Sequence, residues 1–110
     1  MTAQEVFDIA AKGLLKQKRR STDACGFCQY RGLERKKCAV GFLLTDEEAK
    51  TMEGYNVRDA VARNLLPHRL CAHVTLLAYL QEVHDNKHPA KWPLELQKLA
   101  EKHELKFSAR

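Results

Sequence analysis

Apolar residues recur at helical spacing from the start of the chain. Val6, Ile9, Ala10, Gly13 and Leu14 share one face, with Phe7 beside the stripe. Thr2-Ala3-Gln4-Glu5 ahead of them reads as a capping box, in which hydroxyl and carboxylate each satisfy an early amide. Lys16, Lys18, Arg19 and Arg20 stand where cations favour a helix C-terminus. The spacing predicts a first helix over about residues 3–18.

Residues 19–37 lose that period. Ser21, Thr22, Asp23, Gly26 and Gly32 mark a loop. A short β-hairpin is expected near residues 28–40, pairing Cys28–Arg31 with Lys36–Ala39 across a turn at Gly32–Arg35. The apolar run from Cys38 to Leu44 is equally compatible with the opening of a buried helix, because a short run does not distinguish the two.

The period returns at Thr45-Asp46-Glu47-Glu48, a second capping box, which starts a short helix toward Met52 with Gly54 beyond its end. Asn56 caps a third helix carrying Val57, Val61 and Leu65 on one face, and Pro67 ends it. The broadest stripe, Leu70, Val74, Leu77, Leu80 and Val83 with Cys71, Ala78 and His84 beside it, predicts a helix over about 68–84. After a turn at 85–89, Pro93 opens a last helix with Leu96, Leu99, Ala100 and His103 inside. Leu105 and Phe107 fold back to complete the core. The expected fold is mainly α: about five helices in one compact domain, residues 1–110.

Composition fits that picture. Of 110 residues, 45% are hydrophobic and 30% charged, which is globular and not disordered. The longest apolar run, Ala39–Leu44, is far short of the roughly 20 residues that span a bilayer. With no basic, apolar leader at residues 1–5, the expected location is the cytoplasm and no membrane partner is expected. The small core makes a homo-oligomer the expected assembly. Charge changes the picture more. Residues 1–38 hold nine Lys/Arg against four Asp/Glu, while residues 39–110 hold ten of each, so the whole net charge of +5 lies in the first third. An anion approaching the protein feels that third first.

Three chemistries are compatible with the residues. Cys25-x-x-Cys28 has zinc-ligand spacing, with Cys38, Cys71 or His73 to complete a tetrahedron; yet only one close pair is present, and no metal or cofactor is expected. Cys38 follows Arg35-Lys36-Lys37, cations that lower a thiol pKa, and His84-Asp85 supplies a base and a carboxylate. Adjacent helix residues point apart, which argues against Asp85 orienting His84, so no catalytic residue is assigned. The third chemistry is anion binding. Tyr30-Arg31 beside Arg35-Lys36-Lys37 offers an aromatic face and phosphate donors, and Trp92 offers a second face. The expected ligand contacts are Arg31, Lys36 and Lys37 to phosphates, Tyr30 or Trp92 to a base, and Glu53 or Asp85 to ribose hydroxyls. Cys38 and His84 lie among them.

Cys28-Gln29-Tyr30-Arg31, Lys37-Cys38-Ala39-Val40-Gly41, Met52-Glu53-Gly54 and Leu80-Gln81-Glu82-Val83-His84-Asp85 together resemble a family of small tailed-phage and prophage proteins with the pattern C-x-Y-R, K-C-A-x-G, M-E-G and L-Q-x-x-H-D. The match covers most of residues 4–105. Two departures stand out: Phe42 follows Gly41 where a small residue is usual, and Cys25 lies outside the pattern. By analogy of profile, the resemblance implies a phage-encoded protein, acting in the bacterial cytoplasm, that sequesters a small anionic nucleotide, such as an immune signal. Two alternatives stand beside it: a host-protein inhibitor acting through its basic loop, and a small cysteine-dependent enzyme using Cys38.

Overall fold

The computed structural model describes residues 1–107. Among them are five α-helices, α1 (Ala3–Gln17), α2 (Asp46–Met52), α3 (Val57–Ala62), α4 (Val74–Asn86) and α5 (Trp92–Lys102), with short 3-10 segments in the α1–α2, α3–α4 and α4–α5 connections. No described helix is long and apolar enough to cross a membrane.

The caps form as their chemistry dictates. Thr2 and Glu5 satisfy each other's backbone amides, as do Thr45 and Glu48. Asn56 accepts from the Asp59 amide at the start of α3. Lys18 adopts the left-handed conformation, φ 59°, and its N–H closes α1 on the Leu14 carbonyl. The inner face of α1 is Val6, Phe7, Ala10, Ala11 and Leu14; Ile9 turns outward and is 41% exposed.

α4 is the central element, touching α1, α3 and α5. Leu77, Leu80, Leu96, Leu70 and Leu14 are fully enclosed, each worth about 1.5–3 kcal/mol over an exposed position. The predicted single helix over 68–84 divides into a 3-10 segment, His68–His73, and α4. Only Leu70 of that segment is buried, and Cys71 faces solvent, so the segment lacks a second core anchor. The tail folds back as expected: Phe107 meets Phe7 edge-to-face at 5.3 Å. The Gln4 side chain brackets the Lys106 backbone, accepting its N–H at 2.9 Å and donating to its carbonyl at 2.9 Å.

The expected hairpin at 28–40 reduces to one isolated antiparallel bridge, Arg31 with Lys37, and a second, Thr22 with Cys28, lies in the loop ahead of it. Side chains take the groups a ladder would need. Glu53 accepts from the Tyr30 and Arg31 amides, and the Gln17 amide brackets both backbone groups of Lys37. From Val40 the chain winds into a buried 3-10 turn, Val40–Leu43, the helical alternative for that apolar run. This turn packs on α1 so closely that a Cβ at Gly13 would stand 2.6 Å from the Phe42 ring. Phe42 thus fills the space over a helix residue with no side chain.

Candidate functional site

The loop before the site is shaped by its own side chains. The Asp23 carboxylate accepts from the Cys25 and Phe27 amides, and Gly26 turns the chain at φ 86°. This returns Cys28 toward the core. The same loop is fastened to the end of α4: Arg20 donates to the carbonyls of His84 (3.0 Å) and Lys87 (2.6 Å). The buried Ser21 donates its amide to Nε2 of His84 at 2.9 Å.

The result is a cleft of about 300 Å³ between this loop, the α2–α3 turn and α4. Cys28, Tyr30, Cys38, Glu53, Gln81 and Asp85 line it, with Phe27, Tyr55 and Asn56 at its rim. All four sequence blocks singled out above send a residue there.

Ser21 decides the chemistry of His84. Its amide is a donor, so Nε2 must carry the lone pair and Nδ1 the proton. That proton goes to Asp85, whose Oδ1 lies 2.6 Å away. The adjacent carboxylate therefore does reach the ring, against the expectation from helix geometry. Asp85 also accepts from Gln81 at 2.8 Å, and its side chain remains 33% exposed.

Cys28, His84 and Asp85 bring potential ligand atoms within 4.8 Å of one another. They do not fit a metal. A ligating imidazole donates its other N–H to an acceptor, whereas here the other nitrogen faces an N–H donor. Cys25 and Cys71, weighed for zinc, are exposed.

Neither cleft thiol is activated. Burial, reinforced by the Asp85 carboxylate, pushes the Cys28 thiol up to about 11. Burial pushes Cys38 up to about 12, only partly opposed by the Gly41 N–H on its sulfur at 3.3 Å. At pH 7 the Cys28 thiolate is roughly one part in ten thousand, and that of Cys38 is scarcer still, which is unsuited to the nucleophilic role considered for Cys38. A pH dependence follows. In the unfolded chain Cys38 loses its proton near 9.0; in the fold it keeps it to about 12. Between those values the native state binds more protons, so stability falls as pH rises. Urea midpoints should decline through this window, and less steeply for Cys38→Ala; equal slopes would remove Cys38 as the cause.

The remaining expected contacts divide. Tyr30 is 6% exposed and donates its hydroxyl to the Tyr55 carbonyl at 2.6 Å. Burial raises its pKa above the usual phenol value. Arg31 is turned into the fold as well. It donates to the carbonyls of Gly41 and Leu44 (2.8 Å each) and Tyr30 (3.2 Å), and to Asp46 at 2.8 Å. Both Glu53 oxygens hold backbone amides, and Lys36 and Lys37 do not line the cleft. Trp92 is fully buried, stacked on His84 with centroids 5.8 Å apart. Arg31 is thus engaged by carbonyls and Asp46, Glu53 by backbone amides, and the Trp92 ring is enclosed, while Tyr30 lines the cleft with only 6% of its surface exposed. Phe27, Tyr55, Asn56 and Gln81 also line the cleft; of these only Gln81 has a signal along the chain, its place in the block Leu80–Asp85.

No protein-family model, curated protein or solved structure matches the chain.

Proposed function

We propose that the chain binds a nucleotide without transforming it. The observation that carries this reading is the cleft itself: an aromatic rim around an accessible Asp85 acceptor, with an arginine in the depression next to it. Phe27 is 69% exposed, and the Tyr55 ring is backed by the Arg63 guanidinium at 4.7 Å. These are surfaces on which a flat base stacks. Asp85 accepts from the amino or imino edge of that base. Arg58 lines an adjoining depression that shares Asn56, Gln81 and Asp85 with the cleft, and it takes the phosphate. The contacts thus move from Arg31, Lys36 and Lys37 to Arg58. Protonated thiols and a His84 engaged at both nitrogens favour capture over turnover. In the phage setting implied by the sequence resemblance, capture means sequestration of a nucleotide signal.

Calorimetry with a panel of linear and cyclic purine and pyrimidine nucleotides tests this. A subset should bind, and Asp85→Asn should weaken binding about tenfold, a loss of about 1.4 kcal/mol. The amide oxygen introduced by that change would still accept from His84, so the fold survives while the base loses its carboxylate. Arg58→Glu should weaken nucleotides but not nucleosides. Heat from no nucleotide up to about 1 mM would sink the reading.

A further inference from the structure

A larger concavity lies elsewhere. Gln4, Asp8, Ala11, Lys12, Leu15 and Lys16 follow one another at helical spacing along one stripe of α1. Gln4 pins the backbone at Lys106 beside this stripe, and Phe107 closes the far side. Between them runs a groove of about 740 Å³. Ala11, Leu15 and Phe107 give it an apolar lining, and Lys12, Lys16 and Lys106 line it beside them. None of the three lysines forms an ion pair among the described residues. The one carboxylate in the groove, Asp8, accepts from Gln4 at 2.7 Å.

We infer that this groove binds a soluble amphipathic organic anion, an acyl or aryl carboxylate or phosphate whose apolar body lies on Leu15 and Phe107 while its head is held by Lys12, Lys16 and Lys106. Two complementarities carry the assignment. Three cations against one carboxylate attract an anion and repel a cation. An apolar lining gains from covering a hydrocarbon or ring, about 0.8 kcal/mol per buried CH₂. A bare inorganic anion uses only the first and a neutral alcohol only the second. Part of the charge excess of residues 1–38 thereby acquires a place on α1. The site shares no residue with the nucleotide cleft and stands or falls apart from it.

The probe is anilinonaphthalene sulfonate, an aryl anion that brightens on an apolar surface, displaced from the full chain by decanoate, decanol or acetate. Decanoate should displace it at concentrations about tenfold below those of either other compound. Lys12→Glu with Lys16→Glu should raise the decanoate concentration needed about tenfold. Both positions are exposed, so the thermal midpoint should fall only slightly, by the lost cation at the α1 C-terminus. Leu15→Asp should weaken the probe itself. Asp85→Asn should change nothing here. Equal displacement by decanol and decanoate, or indifference to the lysine changes, overturns the inference. So does binding to phosphatidylglycerol vesicles that decanoate does not compete away, because the site would then be a membrane contact.

Discussion

Trp92→Ala should destabilise the fold by about 3–5 kcal/mol, the range for emptying a large aromatic site in a core. Trp92 is fully buried, begins α5, and lies against His84 with the rings inclined at 27°. Its indole N–H donates to the Lys87 carbonyl at 3.2 Å, so the same residue closes the α4–α5 turn. Small domains have only about 5–15 kcal/mol in total, so the variant should unfold at much lower urea or lie near its midpoint in buffer. Trp92→Phe separates the two contributions. It retains most of the ring and loses only the donor, and it should cost about 1 kcal/mol plus a small void. A loss below about 1 kcal/mol for Trp92→Ala would mean that this ring is not in the core.

Arg31→Met should follow closely, at about 3 kcal/mol, and the reason is the carbonyls it leaves behind. Methionine retains the apolar stem. What disappears are the donors to Tyr30, Gly41 and Leu44, together about 3 kcal/mol net, because the Arg31 side chain is 22% exposed and water takes up part of what the charge-assisted bonds supplied. The ion pair with Asp46 contributes little, since the Asp46 side chain is 90% exposed. Asp46→Ala should therefore change stability by well under about 1 kcal/mol. Arg31→Lys should recover only part of the loss, because a compact ammonium cannot serve several carbonyls set around a planar fork. Denaturation of the three variants decides between the two accounts. If Asp46→Ala costs as much as Arg31→Met, the ion pair matters and the carbonyl clamp does not.

The helical frame is legible because its signals are local. Thr2 with Glu5, Thr45 with Glu48, Asn56, and Gly54 at φ 87° each act within a few residues of themselves. The loop at 19–40 is not, because its backbone is satisfied at long range: Glu53 reaches Tyr30 and Arg31, Gln17 reaches Lys37, and His84 reaches Ser21. A short alternating pattern there reads as a hairpin, and nothing nearby says that distant side chains have taken the ladder's place. The site is legible in one sense only. Its sequence blocks mark residues that converge, yet residue type alone cannot separate an arginine that binds phosphate from one that binds carbonyls. Nor does it separate a tryptophan that stacks on a base from one that stacks on His84. Tyr30 and Asp85 look alike as candidates along the chain; only burial distinguishes the hydroxyl spent on Tyr55 from the carboxylate still open to solvent.

The Gln4–Lys106 bracket joins residues 102 apart in the chain. Under tension applied through residues 1 and 107, load reaches this amide pair and the Phe7–Phe107 contact before it reaches α4. The few residues beyond α5 would peel first, extending the molecule by about 17 Å for five residues freed, while the helices behind stay loaded but intact. The molecule should therefore yield in two stages, a short weak detachment and then cooperative rupture of the core.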